Sequence, residues 1–401
     1  MSILKLVYIT AQAPYGKGET FINEEMLAIK DKSEIFIFPR NPEEEIFHKE
    51  AETLRNYTIW LPLINLKMFL NLLLFLIIKP QIWEIIISIF RYSQTLPILI
   101  KNLIVLPKGV YISEIIRKMK IDHIHAHWGS TTSTIAYVVS QLTGIPWSFT
   151  LHRWDIKENN MLKEKAKTAK FVRVISRDGY NEVLRIIGDE YIDKCFLLHM
   201  GVDIPKLKIG REKKDKDDFI IATPANLVEV KGHKYLIEAI DMLKRKGYNV
   251  KCYFLGDGPL RRDLEKTVNE MSLEDIVIFK GAIPHNQLLE LYANKEVDCV
   301  ILPSIVTDKG EHEGIPVSLM EAMVYKIPVI STNTGGIPEL LNNGAGIIVE
   351  QKDPYELAEA IETLIKNERL RRELGEGGYR KVMEEFSLPS IVTKLLELMK
   401  G

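Results

Sequence analysis

Cysteine is scarce in this 401-residue chain. Three occur, Cys195, Cys252 and Cys299, and no two form a C-x-x-C pair. That spacing excludes a disulfide framework and a zinc ribbon, and it suits a reducing compartment. Net charge is nearly absent, −1 from 53 basic and 54 acidic residues, so nothing calls for a nucleic acid partner. A spanning helix needs about 20 apolar residues, and the longest near-continuous run, Met68 to Ile78, is shorter and interrupted by Asn71. The N-terminus enters a strand pattern at Ile3 without a signal-peptide pattern, which makes the cytoplasm the expected address. Internal repeats and low-complexity tracts are missing as well.

What is present is an ordinary globular mixture, 46% hydrophobic and 27% charged, with length for roughly two or three domains. Residues 1–203 read as alternating strands and helices. Strands are expected at Ile3–Ile9, Glu34–Phe38, His123–His127, Trp147–Leu151, Phe171–Ile175 and Cys195–His199. Amphipathic segments such as Phe21–Lys30, Ser133–Leu142, Met161–Ala169 and Ser176–Ile187 separate most of them. A charged stretch, 204–218, has a linker's composition. A second alternation fills 219–383, with strands at Phe219–Ala222, Lys251–Leu255, Ile276–Lys280, Cys299–Leu302, Val329–Ser331 and Gly346–Val349. Buried strands punctuated by helices predict two doubly wound α/β domains, each with a parallel sheet covered on both faces. Such sheets bind ligands at the C-terminal ends of their strands, so two facing domains would share an interdomain cleft.

An apolar insert at about 59–108 departs from the average. Pro62, Pro80 and Pro97 divide it into what read as short helices. Its charges are Lys67, Lys79, Arg91, Lys101 and Lys108 against Glu84 alone. Apolar helices fringed by positive charge suit the anionic cytoplasmic face of a membrane. The competing reading is a helical insert packed on its own domain or a second subunit.

The most informative motif is Glu313 to Glu321 (EGIPVSLME), which sets two carboxylates eight residues apart across a loop-to-helix junction. Pro316 suits the first helical turn. The amides of Val317, Ser318 and Leu319 would then be orphan donors at a helix N-terminus, a place that attracts phosphate or sugar oxygens. A second helix is expected to open behind Gly335-Gly336.

Here the chain resembles the E-x7-E nucleotide-sugar glycosyltransferases (glycosyltransferase family 4), the retaining family with the GT-B fold. Further segments match in order: Lys231-Gly232-His233, Phe254 to Pro259, Leu302-Pro303-Ser304 and Gly335 to Glu339. Pro14 to Glu24, Thr150 to Asp155 and His199 to Asp203 give a narrower likeness to members that build colanic acid and related exopolysaccharides. The resemblance implies two Rossmann-like domains, with residues 384–401 crossing back to the first. It implies a nucleoside diphosphate sugar as donor, a lipid-linked saccharide or glycan as acceptor, and no metal or other cofactor. Catalysis falls to Glu313, His152 and Lys231. Donor binding falls to Gly16, Gly18, His127, Asn226, Lys231, Ala282, Ile283, Glu313, Gly314, Ile315, Val317, Ser318, Leu319 and Glu321. A protein peripheral on the inner face of the cell membrane would fit these parts.

Other motifs have plainer readings. Gly256-Asp257-Gly258-Pro259 opens like a dinucleotide fingerprint, but Arg261 stands where its third glycine belongs, so a tight turn with Pro259 near a helix start is expected. Gly16-Lys17-Gly18 lacks the residues of a Walker A loop, and its glycines suit close approach to phosphates. Asp215-Lys216-Asp217 falls in the charged linker and reads as solvated surface. His123, His125 and His127 share one strand face, and hydrogen bonding is favoured over zinc because no carboxylate or cysteine of suitable spacing accompanies them. Asn226 departs from the resemblance, since most relatives carry arginine there; Arg153 and Arg177 are the nearest substitutes by motif. Two alternatives stay open: a nucleotide-sugar epimerase of the same fold, and a weakly active, nucleotide-sugar-binding assembly partner.

Overall fold

The computed structural model describes residues 3–16, 19–46, 49–202 and 218–401. The chain divides into two compact units, Met1–Asp203 with Leu388–Gly401, and Ile204–Ser387.

The first unit runs β1 (Lys5–Thr10), α1 (Thr20–Lys30), β2 (Glu34–Pro39), α2 (Leu66–Ile78), α3 (Gln81–Tyr92), α4 (Leu96–Ile116), β3 (His123–His127), α5 (Thr131–Thr143), β4 (Trp147–Leu151), α6 (Arg153–Glu158), α7 (Leu162–Thr168), β5 (Phe171–Val174), α8 (Arg177–Ile187) and β6 (Cys195–Leu197). Its strands form one six-stranded parallel sheet in the order β2-β1-β3-β4-β5-β6. The order reverses at β1 and β3, so the loops that follow those strands flank a topological switch point.

The second unit runs β7 (Phe219–Thr223), α9 (His233–Arg245), β8 (Val250–Phe254), α10 (Arg261–Glu270), β9 (Val277–Phe279), α11 (His285–Ala293), β10 (Cys299–Leu302), α12 (Val317–Val324), β11 (Val329–Thr332), α13 (Ile337–Leu341), β12 (Ile347–Val349), α14 (Pro354–Lys366) and α15 (Glu368–Lys381). Its parallel sheet has the order β12-β11-β10-β7-β8-β9, with the switch between β10 and β7. The last helix, α16 (Leu388–Lys400), belongs to the first unit. There Ile391, Val392, Leu395 and Met399 pack with Ile22, Met26 and Ile29 of α1. Gly201 lets it come close, because a Cβ there would stand 2.6 Å from the Leu388 Cα.

All twelve expected strands are present, most with ends shifted by a residue or two. The apolar insert differs from expectation. Pro97 lies in the first turn of α4, where it costs no hydrogen bond, and the helix continues through Pro107 to Ile116. At 21 residues α4 is long and apolar enough to cross a membrane, but more than half of its most apolar stretch is buried in the unit, against α2 and α5. Midway along it, buried Lys108 donates from Nζ to the carbonyls of Pro39 (2.6 Å), Arg40 (2.8 Å) and Leu61 (2.8 Å). Its ammonium therefore ties the end of β2 to α4. By contrast α2 and α3, which meet at a 109° bend, leave Phe69, Leu73, Ile77, Trp83, Ile87 and Phe90 exposed. The expected linker, from 204 to 217, lies outside the described residues, as do Asp215, Lys216 and Asp217.

Candidate functional site

In the second unit, the loop between β10 and α12 carries Glu313 against Lys231. The Lys231 ammonium is hydrogen-bonded to Glu313 Oε2, and Ser304 Oγ approaches the same oxygen at 3.4 Å. Both charged side chains are mostly shielded, at 19% and 16% exposure, so the pair is stronger than a surface ion pair.

Glycines hold this arrangement in place. Gly232 has φ +67°, and a Cβ there would lie 1.9 Å from the Pro303 carbonyl oxygen, so the turn after Lys231 sits directly on the Pro303-Ser304 backbone. Gly335, φ +54°, meets the Glu313 carbonyl oxygen at 1.8 Å in the same sense, and Gly336 presses on Gly314 and Ile315. Any side chain at these points would displace the Glu313 loop.

The helix start differs from the sequence reading in two ways. Pro316 precedes α12 as its cap with extended ψ 118°, rather than lying in the first turn, and its carbonyl accepts from Leu319 (3.2 Å) and Met320 (3.4 Å). The Leu319 amide is therefore satisfied inside the helix. Val317 and Ser318 are left as the forward-facing donors among the three expected.

Glu321 lies on α12 and is buried, its Oε1 2.8 Å from His285 Nε2. His285 begins α11, directly after Ala282, Ile283 and Pro284. The segment expected to hold a base is thus joined to the carboxylate expected to hold a ribose, by a histidine that the motifs did not reveal. Asn226 is exposed on the loop after β7. That loop sits tightly on the next one: a Cβ on Gly256 would be 2.0 Å from the Ala225 carbonyl oxygen, and Leu227 N donates to Asp257 O. This close approach explains the glycines of the Gly256–Pro259 turn; Pro259 falls before the Leu260 cap of α10 rather than at its first position. His233 is a core residue, its pKa lowered to about 4 by burial and by Lys231.

In the first unit the remaining predicted residues cluster at the ends of β3 and β4. His127 Nε2 and His152 Nε2 lie 2.8 Å apart, so one must donate to the other. Glu25 Oε1 lies 3.7 Å from His127 Nδ1, beyond hydrogen-bond reach, so either ring can be the donor of the pair. Burial pushes the His152 pKa down to about 3 and His127 well below its usual value, so both rings are neutral. Glu25 is itself fixed by Arg173 at 2.5 Å, and Arg173 also donates to the Leu198 and His199 carbonyls. His123 and His125 continue this column, bonded to the hydroxyls of Ser148 and Thr150. The three histidines are parts of a buried hydrogen-bonded network.

Glu19 organises the loop after β1. Its Oε2 accepts from the amides of Gln12 (2.9 Å) and Ala13 (2.5 Å), and its Oε1 from Trp128 Nε1 (2.5 Å). Trp128 takes a left-handed conformation, φ +86°, which costs of order 1–3 kcal/mol and is held by these contacts. Its ring lies 4.3 Å from that of His152. Gly16, within this loop, takes φ +83°; Gly18 lies outside the described residues. Arg153 is paired with Glu182 at 3.2 Å, while Arg177 opens α8. Glu25, Arg173, Trp128 and His285 carried no motif signal, because their partners come from distant strands and helices.

Comparisons with known proteins bear on the fold and the likeness of the second unit. Residues 206–381 match the family described as Glycosyl transferases group 1. A Salmonella typhimurium protein, WcaL, named for colanic acid biosynthesis as a glycosyltransferase, is 32% identical over 211 residues, 52% of this chain and 51% of that one. The Erwinia amylovora amylovoran biosynthesis glycosyltransferase AmsK is 30% identical over 262 residues, 62% of each. This chain therefore spans about half to under two thirds of the length of these curated relatives. Among solved structures, Anabaena Alr3699/HepE in complex with UDP superposes with TM-score 0.72 at 16% identity, covering 99% of this chain and 100% of that one.

Proposed function

We propose that the chain, whose residues 206–381 match the group 1 glycosyl transferases and which has the GT-B fold, transfers a sugar from a nucleoside diphosphate sugar to a saccharide or lipid-linked saccharide in cell-surface polysaccharide synthesis. The observation that carries this reading is the Lys231–Glu313–Ser304 cluster on the loop that leads into α12. The names of the colanic acid and amylovoran relatives, and the UDP held by the similarly folded HepE, point the same way.

In this reading Glu321 and His285 hold the ribose, with Ala282 and Ile283 beside the base. Lys231 and the Val317 and Ser318 amides stabilise the diphosphate as negative charge builds on it. Glu313 orients the donor sugar. The bond from the anomeric carbon to the phosphate oxygen breaks as the acceptor oxygen attacks the same face. The acceptor proton passes to the departing phosphate oxygen, which retains configuration without a protein nucleophile or metal. His152 and His127 belong to the sugar end of this reaction. Burial keeps both rings neutral, so His152 would act as a neutral ring or through its backbone, not as a cation.

The exposed face of α2 and α3, with Lys67, Lys79 and Arg91 around it and Glu84 its single acid, is the docking surface we assign to an anionic membrane leaflet, the inner face of the cell membrane. Vesicles of phosphatidylglycerol should co-sediment the protein and phosphatidylcholine vesicles should not; equal behaviour with both removes the assignment.

The function itself is tested by incubating the protein with radiolabelled nucleotide sugars and membrane lipids, with and without EDTA. Glu313→Gln should lower turnover by about two orders of magnitude, the scale of lost transition-state stabilisation. Glu321→Ala should mainly weaken donor affinity. Wild-type kinetics in both variants would remove the mechanism.

A further inference from the structure

Glu19 is buried, 7% exposed, and stands at the cap position of α1. A carboxylate there ordinarily bonds the first amides of its own helix. Glu19 does not, for its side chain makes no cap hydrogen bond. Both oxygens turn the other way. Oε2 takes the amides of Gln12 and Ala13, in the loop whose Gly16 suits approach to phosphates, and Oε1 takes the Trp128 indole N–H, 109 residues along the chain. One carboxylate therefore ties the loop after β1 to the turn after β3.

The same turn is fixed from its far side. Fully buried Lys165 on α7 donates to the carbonyls of Gly129 (3.0 Å) and Ser130 (2.9 Å), and Asp155 on α6 accepts from the His152 and Gly129 amides. Gly129 has no room for a side chain, since a Cβ would stand 2.2 Å from Leu151 Cδ2. Between these anchors Trp128 is kept left-handed at φ +86°, a conformation that persists only where its surroundings impose it and that collects at functional sites. What the strain achieves is a placement. The indole centroid lies 4.3 Å from the His152 ring, with Phe21 at 5.4 Å and His127 at 5.0 Å around the rest of the imidazole. A neutral imidazole so enclosed takes its orientation from its neighbours.

We propose that Glu19 is a positioning residue for sugar transfer: through Trp128 it sets the His152 ring, and through the Gln12 and Ala13 amides it registers that ring with the loop after β1. The role rests on the transferase reading, since it is exercised through His152. The side chains assigned above to the ribose and the diphosphate belong to the second unit, so Glu19 should govern turnover and leave nucleotide affinity alone. A reacting group displaced by about 1 Å can cost about a hundredfold in rate.

Two variants test this. Glu19→Gln is nearly isosteric and can still accept from the two amides, but its NH2 group then faces the indole N–H and repels it. Trp128→Phe keeps an aromatic ring and removes the N–H; should Glu19→Gln fail to fold, it carries the kinetic test alone. Each should lower turnover by about ten- to a hundredfold, with both thermal transitions and UDP affinity retained. The double variant should lose no more than either alone, since both break one link. Labelling the five tryptophans with 5-fluorotryptophan gives a readout that needs no activity. Trp128→Phe identifies the Trp128 resonance by its disappearance, His152→Ala should move it, and Glu19→Gln should both move it and blunt the effect of His152→Ala. Wild-type turnover in Glu19→Gln overturns the proposal, as do multiplying losses in the double variant. If the wild-type protein transfers no sugar, the transferase reading falls, and the fluorine signal decides the placement separately: a Trp128 resonance moved by Glu19→Gln upholds it, and an unmoved one overturns it.

Discussion

Lys231 and Glu313 neutralise each other in the free protein, so a diphosphate donor must draw the ammonium partly away from the carboxylate. That competition makes any second cation near the phosphates valuable. Asn226 sits on the exposed loop before Lys231, where the resemblance calls for arginine. Arg153 is a poor substitute, since its guanidinium already engages Glu182. Asn226→Arg should therefore tighten nucleoside diphosphate binding by about ten- to a hundredfold, the value of one charged hydrogen bond of roughly 1.5–3 kcal/mol. Calorimetric titration with UDP and GDP checks this. Unchanged affinity for both would show that the 226 side chain does not face the phosphates.

At the scale of elements, β3 is the unusual one, with histidines at alternate positions held neutral indoors. The His123 and His152 pKa values fall to about 3 and that of His233 on α9 to about 4, while His125 and His127 also lie far below the usual 6.5. Burial is the main cause in each. Between about pH 3 and 6.5 the unfolded chain binds more protons than the native one, so stability rises with pH across that window and is lost on acidification. Each imidazole contributes up to about 1.4 kcal/mol per pH unit. Urea midpoints should drop steeply from pH 7 to pH 5, and His123→Gln should make the slope shallower by about one proton. A slope unchanged by that substitution would mean that His123 is protonated in the folded state. The period-2 spacing made the shared face of these histidines legible in the sequence. Their partners were not, because Glu25, Ser148 and Arg173 arrive from α1, β4 and β5. The strands were legible for a related reason, since fully buried parallel strands read as short apolar runs. The length of α4 was hidden by Pro97 and Pro107, which look like breaks until packing on α2 and α5 offsets the one lost hydrogen bond. Likewise Pro316 signalled a helix start but not that its own carbonyl would occupy the Leu319 amide.

For the molecule as a whole, the chain finishes where it began: α16 returns to the first unit after the second is complete. Six of its apolar side chains are buried there, Leu388, Ile391, Val392, Leu395, Leu396 and Met399. Full burial is worth roughly 1.5–3 kcal/mol for each, an upper bound of about 9–18 kcal/mol, which matches or exceeds the 5–15 kcal/mol that holds an ordinary domain. Lys170 adds a hydrogen bond to the Met399 carbonyl at 3.0 Å, and Lys32 one to Thr393 at 2.9 Å. Truncation after Ser387 should therefore unfold the first unit while sparing the second, whose core cluster around β7, β8 and β10 contains, among the described residues, nothing from α16. Thermal unfolding of the truncated protein should lose one transition, and transfer activity should vanish with it. UDP binding should persist, because the Lys231–Glu313 pair, the α12 amides and the His285–Glu321 pair all belong to the unit left intact. Adding a peptide of residues 388–401 should restore the missing transition. If the truncated chain kept both transitions, the last helix would be an accessory to the first unit, and its buried leucines would be worth far less than their area suggests.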